Sequence, residues 1–145
     1  RIDGHGDTIL GRGPAFFKDC TIASTSAFMW IRNTEANHGH VFVDCTFLGQ
    51  GDRAFIARSR VDTYPHAEAV LINCKLDNVP AEGWLKIECK NSNNKYWEYN
   101  SRSLDNKPID ISKRHPSSRQ LYRERDKTLI EQYSSPKAIL GWNPE

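Results

Sequence analysis

Three short segments of this chain repeat one another. They read Phe16-Phe17-Lys18-Asp19-Cys20-Thr21-Ile22, Val41-Phe42-Val43-Asp44-Cys45-Thr46-Phe47 and Val70-Leu71-Ile72-Asn73-Cys74-Lys75-Leu76. In each, an aromatic or β-branched run leads to an acid or Asn, then Cys, then an apolar residue two positions on. Runs of this composition are strand formers, because branched and aromatic side chains suit a pleated, half-buried surface. The three Cys are 25 and 29 residues apart, and a period in that range signals stacked structural repeats. Short strands separated by Gly, Asn and Asp turns fit the coils of a parallel β-helix, in which like residues stack from coil to coil. Leucine-rich repeats would need a regular LxxLxL pattern, which is absent. A β-sandwich is the alternative arrangement for strands this short.

The cysteines fit the same picture. Four are present, Cys20, Cys45, Cys74 and Cys89, and no two form a CxxC pair. An even number permits two disulfides, but three share one repeat position, so they read as small buried hydrophobes stacked in a core. A possible fourth coil runs through Trp84-Leu85-Lys86-Ile87-Glu88-Cys89 and Tyr96-Trp97-Glu98-Tyr99, with Asn91 to Asn94 as a turn. The pattern changes near Ser101. We therefore expect coils over residues 1–100 and a tail over 101–145. Within the tail, Asp126 to Tyr133 predicts one short helix with Leu129, Ile130 and Tyr133 on one face, closed by Ser134-Ser135-Pro136. The apolar ending Ile139-Leu140-Gly141-Trp142 predicts that the tail packs back on the coils.

Charge and composition exclude several functions. Twenty basic against eighteen acidic residues give a formal charge of +2, which argues against nucleic-acid binding through bulk charge. No apolar run reaches the ~18 residues of a membrane span. The chain opens Arg1-Ile2-Asp3-Gly4-His5-Gly6-Asp7 without Met and reads as the middle of a larger protein. No GxxxxGK[ST] phosphate loop and no GxSxG elbow occurs. His38-Gly39-His40 on a strand would place two rings on one face, but without a carboxylate set a metal site is not expected, and no cofactor is implied.

Three places carry candidate chemistry. Asp7 sits in the glycine-dense run Gly4 to Gly13, where it reads by itself as a turn residue. Arg58, in Ala57-Arg58-Ser59-Arg60 after Phe55-Ile56, reads by itself as a solvated charge. If it follows a strand into the groove of Asp7, its fork can hold that carboxylate bidentately. Trp84, after the Pro80-Ala81-Glu82-Gly83 turn, is either a sugar-stacking platform or a core cap.

Taken in order, these motifs resemble the C-terminal half of the pectinesterases (pectin methylesterases), particularly the bacterial type. Asp7-Thr8-Ile9-Leu10-Gly11 stands where the family has Asp-Phe-Ile-Phe-Gly, whose Asp is the nucleophile. Ile56-Ala57-Arg58-Ser59-Arg60 stands where it has Leu-Gly-Arg-Pro-Trp. Ala69 to Cys74, Glu82-Gly83-Trp84, Tyr96-Trp97-Glu98-Tyr99, Ser118-Arg119-Gln120-Leu121 and Leu140-Gly141-Trp142-Asn143-Pro144 follow in the family's sequence. The resemblance implies a right-handed parallel β-helix, and a carboxylic ester hydrolase acting on methyl-esterified galacturonan through Asp7, oriented and kept ionised by Arg58. Trp84, Arg60 and Leu10 become the expected sugar contacts. Departures lie in the groove, where Thr8 and Leu10 replace aromatics and Ser59-Arg60 replaces Pro-Trp. The family's acid/base Asp and oxyanion-binding glutamines precede the nucleophile motif, so the resemblance places them before residue 1 and implies a fragment inactive by itself. It further implies a pectin partner, no metal, no nucleic acid or membrane, a monomer, and a secreted or periplasmic location. Three other readings stay open. One is a carbohydrate-binding β-helix without catalysis, and a second is an esterase relative with another substrate. The third is a polysaccharide lyase, although the clustered acids of its calcium site are not evident.

Overall fold

The computed structural model describes residues 1–58, 63–85 and 93–144. The chain winds through three parallel sheets, one strand per sheet in each of the first three turns. The first coil is β1 (Ile2–Gly4), β2 (Ile9–Gly11) and β3 (Ala15–Lys18); the second is β4 (Thr21–Ser24), β5 (Met29–Ile31) and β6 (His40–Val43). The third is β7 (Thr46–Gly49), β8 (Ala57–Arg58) and β9 (Glu68–Ile72), and the fourth holds β10 (Lys75–Asp77) and β11 (Lys95–Tyr99). Every strand pairs with its counterpart one coil away, in the orders β1-β4-β7-β10, β2-β5-β8 and β3-β6-β9-β11. This is the parallel β-helix expected from the repeat.

Register explains why the repeat looks as it does. Phe17, Phe42 and Leu71 occupy one column, and Ile22 and Phe47, with Leu76 beyond, occupy another. Both columns point into the core, where Phe17 stacks on Phe42 with centroids 4.5 Å apart. The residue before each Cys turns the chain between sheets. Asp19, Asp44 and Asn73 all have φ of 54–55°, and Asn100 has 54°. Left-handed backbone is costly for most side chains but tolerated by Asp and Asn. Their amides continue the ladder, with Asp44 donating to Ile72 O at 3.0 Å and Asn73 to Tyr99 O at 2.9 Å. Cys45 and Cys74 are buried, Cys20 is half-buried, and all three are free thiols. Burial pushes the Cys74 thiol well up.

The fourth copy of the turn is Tyr99-Asn100-Ser101-Arg102, so Ser101 takes the place of the next Cys. Arg102 N donates to Cys74 O, and Asn100 Nδ2 to Asn73 Oδ1 at 2.8 Å. Cys89 lies outside the described residues.

The tail differs from expectation in two ways. Ser118–Gln120 forms β12, which adds a parallel strand beside β11; its polar, aperiodic sequence carries no strand signal. The tail also holds two helices, α1 (Arg123–Tyr133) and α2 (Pro136–Leu140), not one. Pro136 starts α2 instead of merely ending α1. Its fixed φ and missing N–H suit a first helical position, and Ser135 caps the helix by accepting from Ala138 N. As expected, Leu129, Ile130 and Tyr133 share a face. With Ile139 they cover Val41, Val43, Val70 and Ile72 on the outer side of the third sheet. Trp142, by contrast, is 60% exposed.

Tyr133 also anchors the tail through a polar contact. Its hydroxyl donates to Glu68 Oε2 at 2.9 Å, and the same buried carboxylate receives Lys95 Nζ at 2.8 Å and Gly39 N at 3.2 Å. His38 Nδ1 lies 2.8 Å from its other oxygen. Burial alone would push the Glu68 carboxyl up, but Lys95 and then His38 outweigh it and hold it below the usual range. His40, two residues on, is buried in the wall instead, edge-on to Phe17. Burial lowers its pKa to about 4 from 6.5.

Both groups make the fold acid-labile. The unfolded chain takes up the His40 proton near pH 6.5, whereas the folded chain resists until about 4. Stability therefore falls as pH drops through that window, by roughly 3 kcal/mol for a shift of this size. Glu68 adds a further loss at lower pH, as its depressed folded pKa is passed. Denaturant midpoints measured from pH 7 to 4 should show the decline, and His40→Gln should flatten its upper part. An unchanged slope in that variant would refute the assignment.

Candidate active site

The site is assembled from a turn in the first coil and a strand end in the third. Asp7 follows Gly6 (φ 148°) and itself has φ 44°. That turn is pinned to the next coil, where Thr25 Oγ1 donates to His5 O at 2.6 Å and Thr8 Oγ1 to Ser24 Oγ at 2.8 Å. A side chain at Gly4 would strike Thr8, so the close approach requires glycine here. Arg58 ends β8, two strands away from β2. The column Leu10, Trp30, Arg58 runs across β2, β5 and β8.

From this column the Arg58 guanidinium crosses the Trp30 ring, 4.8 Å from its centroid, and reaches Asp7. Arg58 Nε donates to Asp7 Oδ1 at 2.6 Å, and a terminal nitrogen donates to Oδ2. The hydrogen bond to Asp7 holds the guanidinium still more firmly protonated. The Asp7 side chain keeps 23% of its surface accessible, so the carboxylate is oriented but not sealed. It faces a cavity of about 400 Å³ lined in part by His5, Ser26, Arg53, Phe55 and Leu85. A carboxylate on a bidentate fork, open to a groove with an aromatic neighbour, can act as an oriented nucleophile or base.

The fold thus joins Asp7 and Arg58, which are 51 residues apart in the chain. Leu10 stands on the same column, 54% exposed. Trp84 does not join them. It is fully buried, stacked on Tyr96 at 4.8 Å, and its indole N–H donates to Glu98 Oε1 at 3.0 Å. A flat ring with one donor is well served by a core that offers a carboxylate, and of the two sequence readings the core cap is the one observed. Arg60 lies outside the described residues.

Trp30 is the site residue that sequence reading missed. Alignment on the cysteines cannot find it, because the loops joining the sheets differ in length from coil to coil. Only the strand register sets it beside Leu10 and Arg58. Among the described residues no group of three or more His, Cys, Asp or Glu is placed to hold a metal, and no helix is long and apolar enough to cross a membrane. The chain matches no protein-family model and no curated protein.

Proposed function

We propose that this protein is a carboxylic ester hydrolase of the pectinesterase kind, with Asp7 as nucleophile and methyl-esterified galacturonan as substrate. The observation that carries the reading is the Arg58 fork on Asp7, formed at the two positions that match the family's motifs. An Asp–Arg pair elsewhere on a surface would be unremarked; here it lies in a groove beside an exposed Leu10 and a half-buried Trp30.

In the first half of the reaction, Asp7 Oδ attacks the ester carbonyl carbon, and the tetrahedral oxyanion collapses by breaking the bond to the methoxy oxygen. Methanol leaves with a proton from a general acid, and an anhydride joins Asp7 to the sugar carboxyl. Water, giving one proton back to the deprotonated general acid and the other to solvent, then attacks the anhydride, releasing the free uronate and restoring the Asp7 carboxylate. Arg58 orients Asp7 throughout. The family resemblance assigns the general acid and the oxyanion donors to residues upstream of the nucleophile motif.

The experiment is methanol release from methyl-esterified pectin by the full-length protein, with simple aryl esters in parallel. Release from pectin supports the reading. Turnover of aryl esters alone would point to an esterase with another substrate. Sugar binding without turnover would favour a carbohydrate-binding β-helix.

A further inference from the structure

We propose that Arg32 is an anion receptor that holds a free carboxylate of the bound polymer beside the Asp7–Arg58 pair. For the identity of the polymer this inference rests on the reading above; for the charge of the ligand it does not.

Two cations share one aromatic ring beside this cavity. Arg58 lies 4.8 Å and Arg32 5.0 Å from the Trp30 centroid. Both oxygens of Asp7 are taken by Arg58. The Arg32 side chain makes no hydrogen bond or ion pair to another described residue, and its buried Nε lacks a protein acceptor. A guanidinium left unpaired beside a second guanidinium is unfavourable unless it has a use, because like charges repel and its buried Nε goes unsatisfied.

The backbone explains why Arg32 stands there. It follows β5 directly and is two residues beyond Trp30, so it projects from the same face of the strand. Its amide donates to Gly11 O, which ties the position to the neighbouring coil. Stacking on the indole pre-orders the long side chain, which lowers the entropic cost of gripping a ligand. Arg12, exposed and two residues beyond Leu10, occupies the corresponding place one coil earlier. Adjacent strands of a parallel sheet are about 4.8 Å apart, the scale of one sugar ring. The sheet face beside the cavity thus presents an apolar column, Leu10 and Trp30, edged by Arg12 and Arg32, which no carboxylate among the described residues neutralises. A neutral glycan would not use those charges. A chain of sugar acids would, since a planar fork matches a carboxylate bidentately.

The test is calorimetric binding of unesterified oligogalacturonate, which has no ester to turn over, against a carboxyl-reduced oligomer of the same length. Wild-type protein should bind the acidic oligomer more tightly, with an affinity that falls with salt. Arg32→Gln should weaken that binding about tenfold, the scale of one charge-assisted hydrogen-bonded pair. It should leave the neutral oligomer unaffected and reduce the salt dependence. Arg32→Lys keeps the charge without the fork and should recover part of the loss, so it carries the comparison if Arg32→Gln proves unstable. Equal affinity of wild type for both oligomers, an unchanged Arg32→Gln, or an equal loss for both ligands would overturn the inference. Methanol release by the same preparations separates the two proposals. Arg32-dependent binding without release would leave this inference standing and remove the esterase reading, and release without Arg32 dependence would do the reverse.

Discussion

Asp7→Asn in the full-length protein should abolish methanol release, by at least ~10³-fold, the scale seen when a nucleophile acting within a catalytic unit is removed. The amide keeps the shape of the carboxylate but has no anionic oxygen to attack the ester carbonyl. The fold should survive. The Arg58–Asp7 pair is partly exposed, at 42% and 23% of the side chains, and pairs of that kind contribute about 1 kcal/mol or less. Arg58→Lys should give an intermediate loss, because it retains charge but not the fork that sets the carboxylate's orientation. Release measured alongside thermal melting decides the matter. Near wild-type turnover by a folded Asp7→Asn protein would end the esterase assignment.

Arg114→Ala should be the most damaging change to stability, costing about 3–5 kcal/mol. Glu98 is fully buried on β11, in the core column beside Leu71. Its carboxylate receives Arg114 Nε at 3.0 Å, Trp84 Nε1 at 3.0 Å and Ser101 Oγ at 2.8 Å. Arg114 also donates to Ala81 O at 3.0 Å, and Gly83 (φ 67°) leaves the room it needs. Deleting the guanidinium strands a carboxylate in the core and removes the side-chain tie between the tail and the Pro80–Gly83 turn. A loss of that size consumes a large part of the 5–15 kcal/mol that holds a typical domain together. Urea unfolding of wild type and variant reads it directly, and Glu98→Gln combined with Arg114→Ala should restore part of it. A loss below ~1 kcal/mol would show that the buried charge finds another partner.

Glu98 also shows where sequence reading stops. In Tyr96-Trp97-Glu98-Tyr99 the acid sits among aromatics on a strand, and alternation puts it on the same face as Tyr96. Nothing local says that this face is the core. Arg114, 16 residues away in a polar stretch without periodicity, satisfies it. The same holds for Glu68, whose partners come from β11, from the segment before β6 and from α1.

What the amino-acid order determined alone was the solenoid. A strand-forming run, an Asp or Asn able to enter the left-handed region, a small buried residue and another apolar residue are local requirements. They recur because every coil turns the same corner and buries the same inward positions. The packed face of the tail helix was legible for a similar reason, since Leu129, Ile130 and Tyr133 lie at helical spacing. The site was decided by tertiary structure. Asp7, Trp30 and Arg58 sit on different coils whose connecting loops have unequal lengths, so no fixed interval relates them. They meet because hydrogen-bonded register stacks β2, β5 and β8 and because one pinned turn directs Asp7 toward the end of β8. Trp84 was decided in the same way. Its sequence suits a platform or a cap equally, and a buried carboxylate supplied by the following strand of the same coil drew it inside.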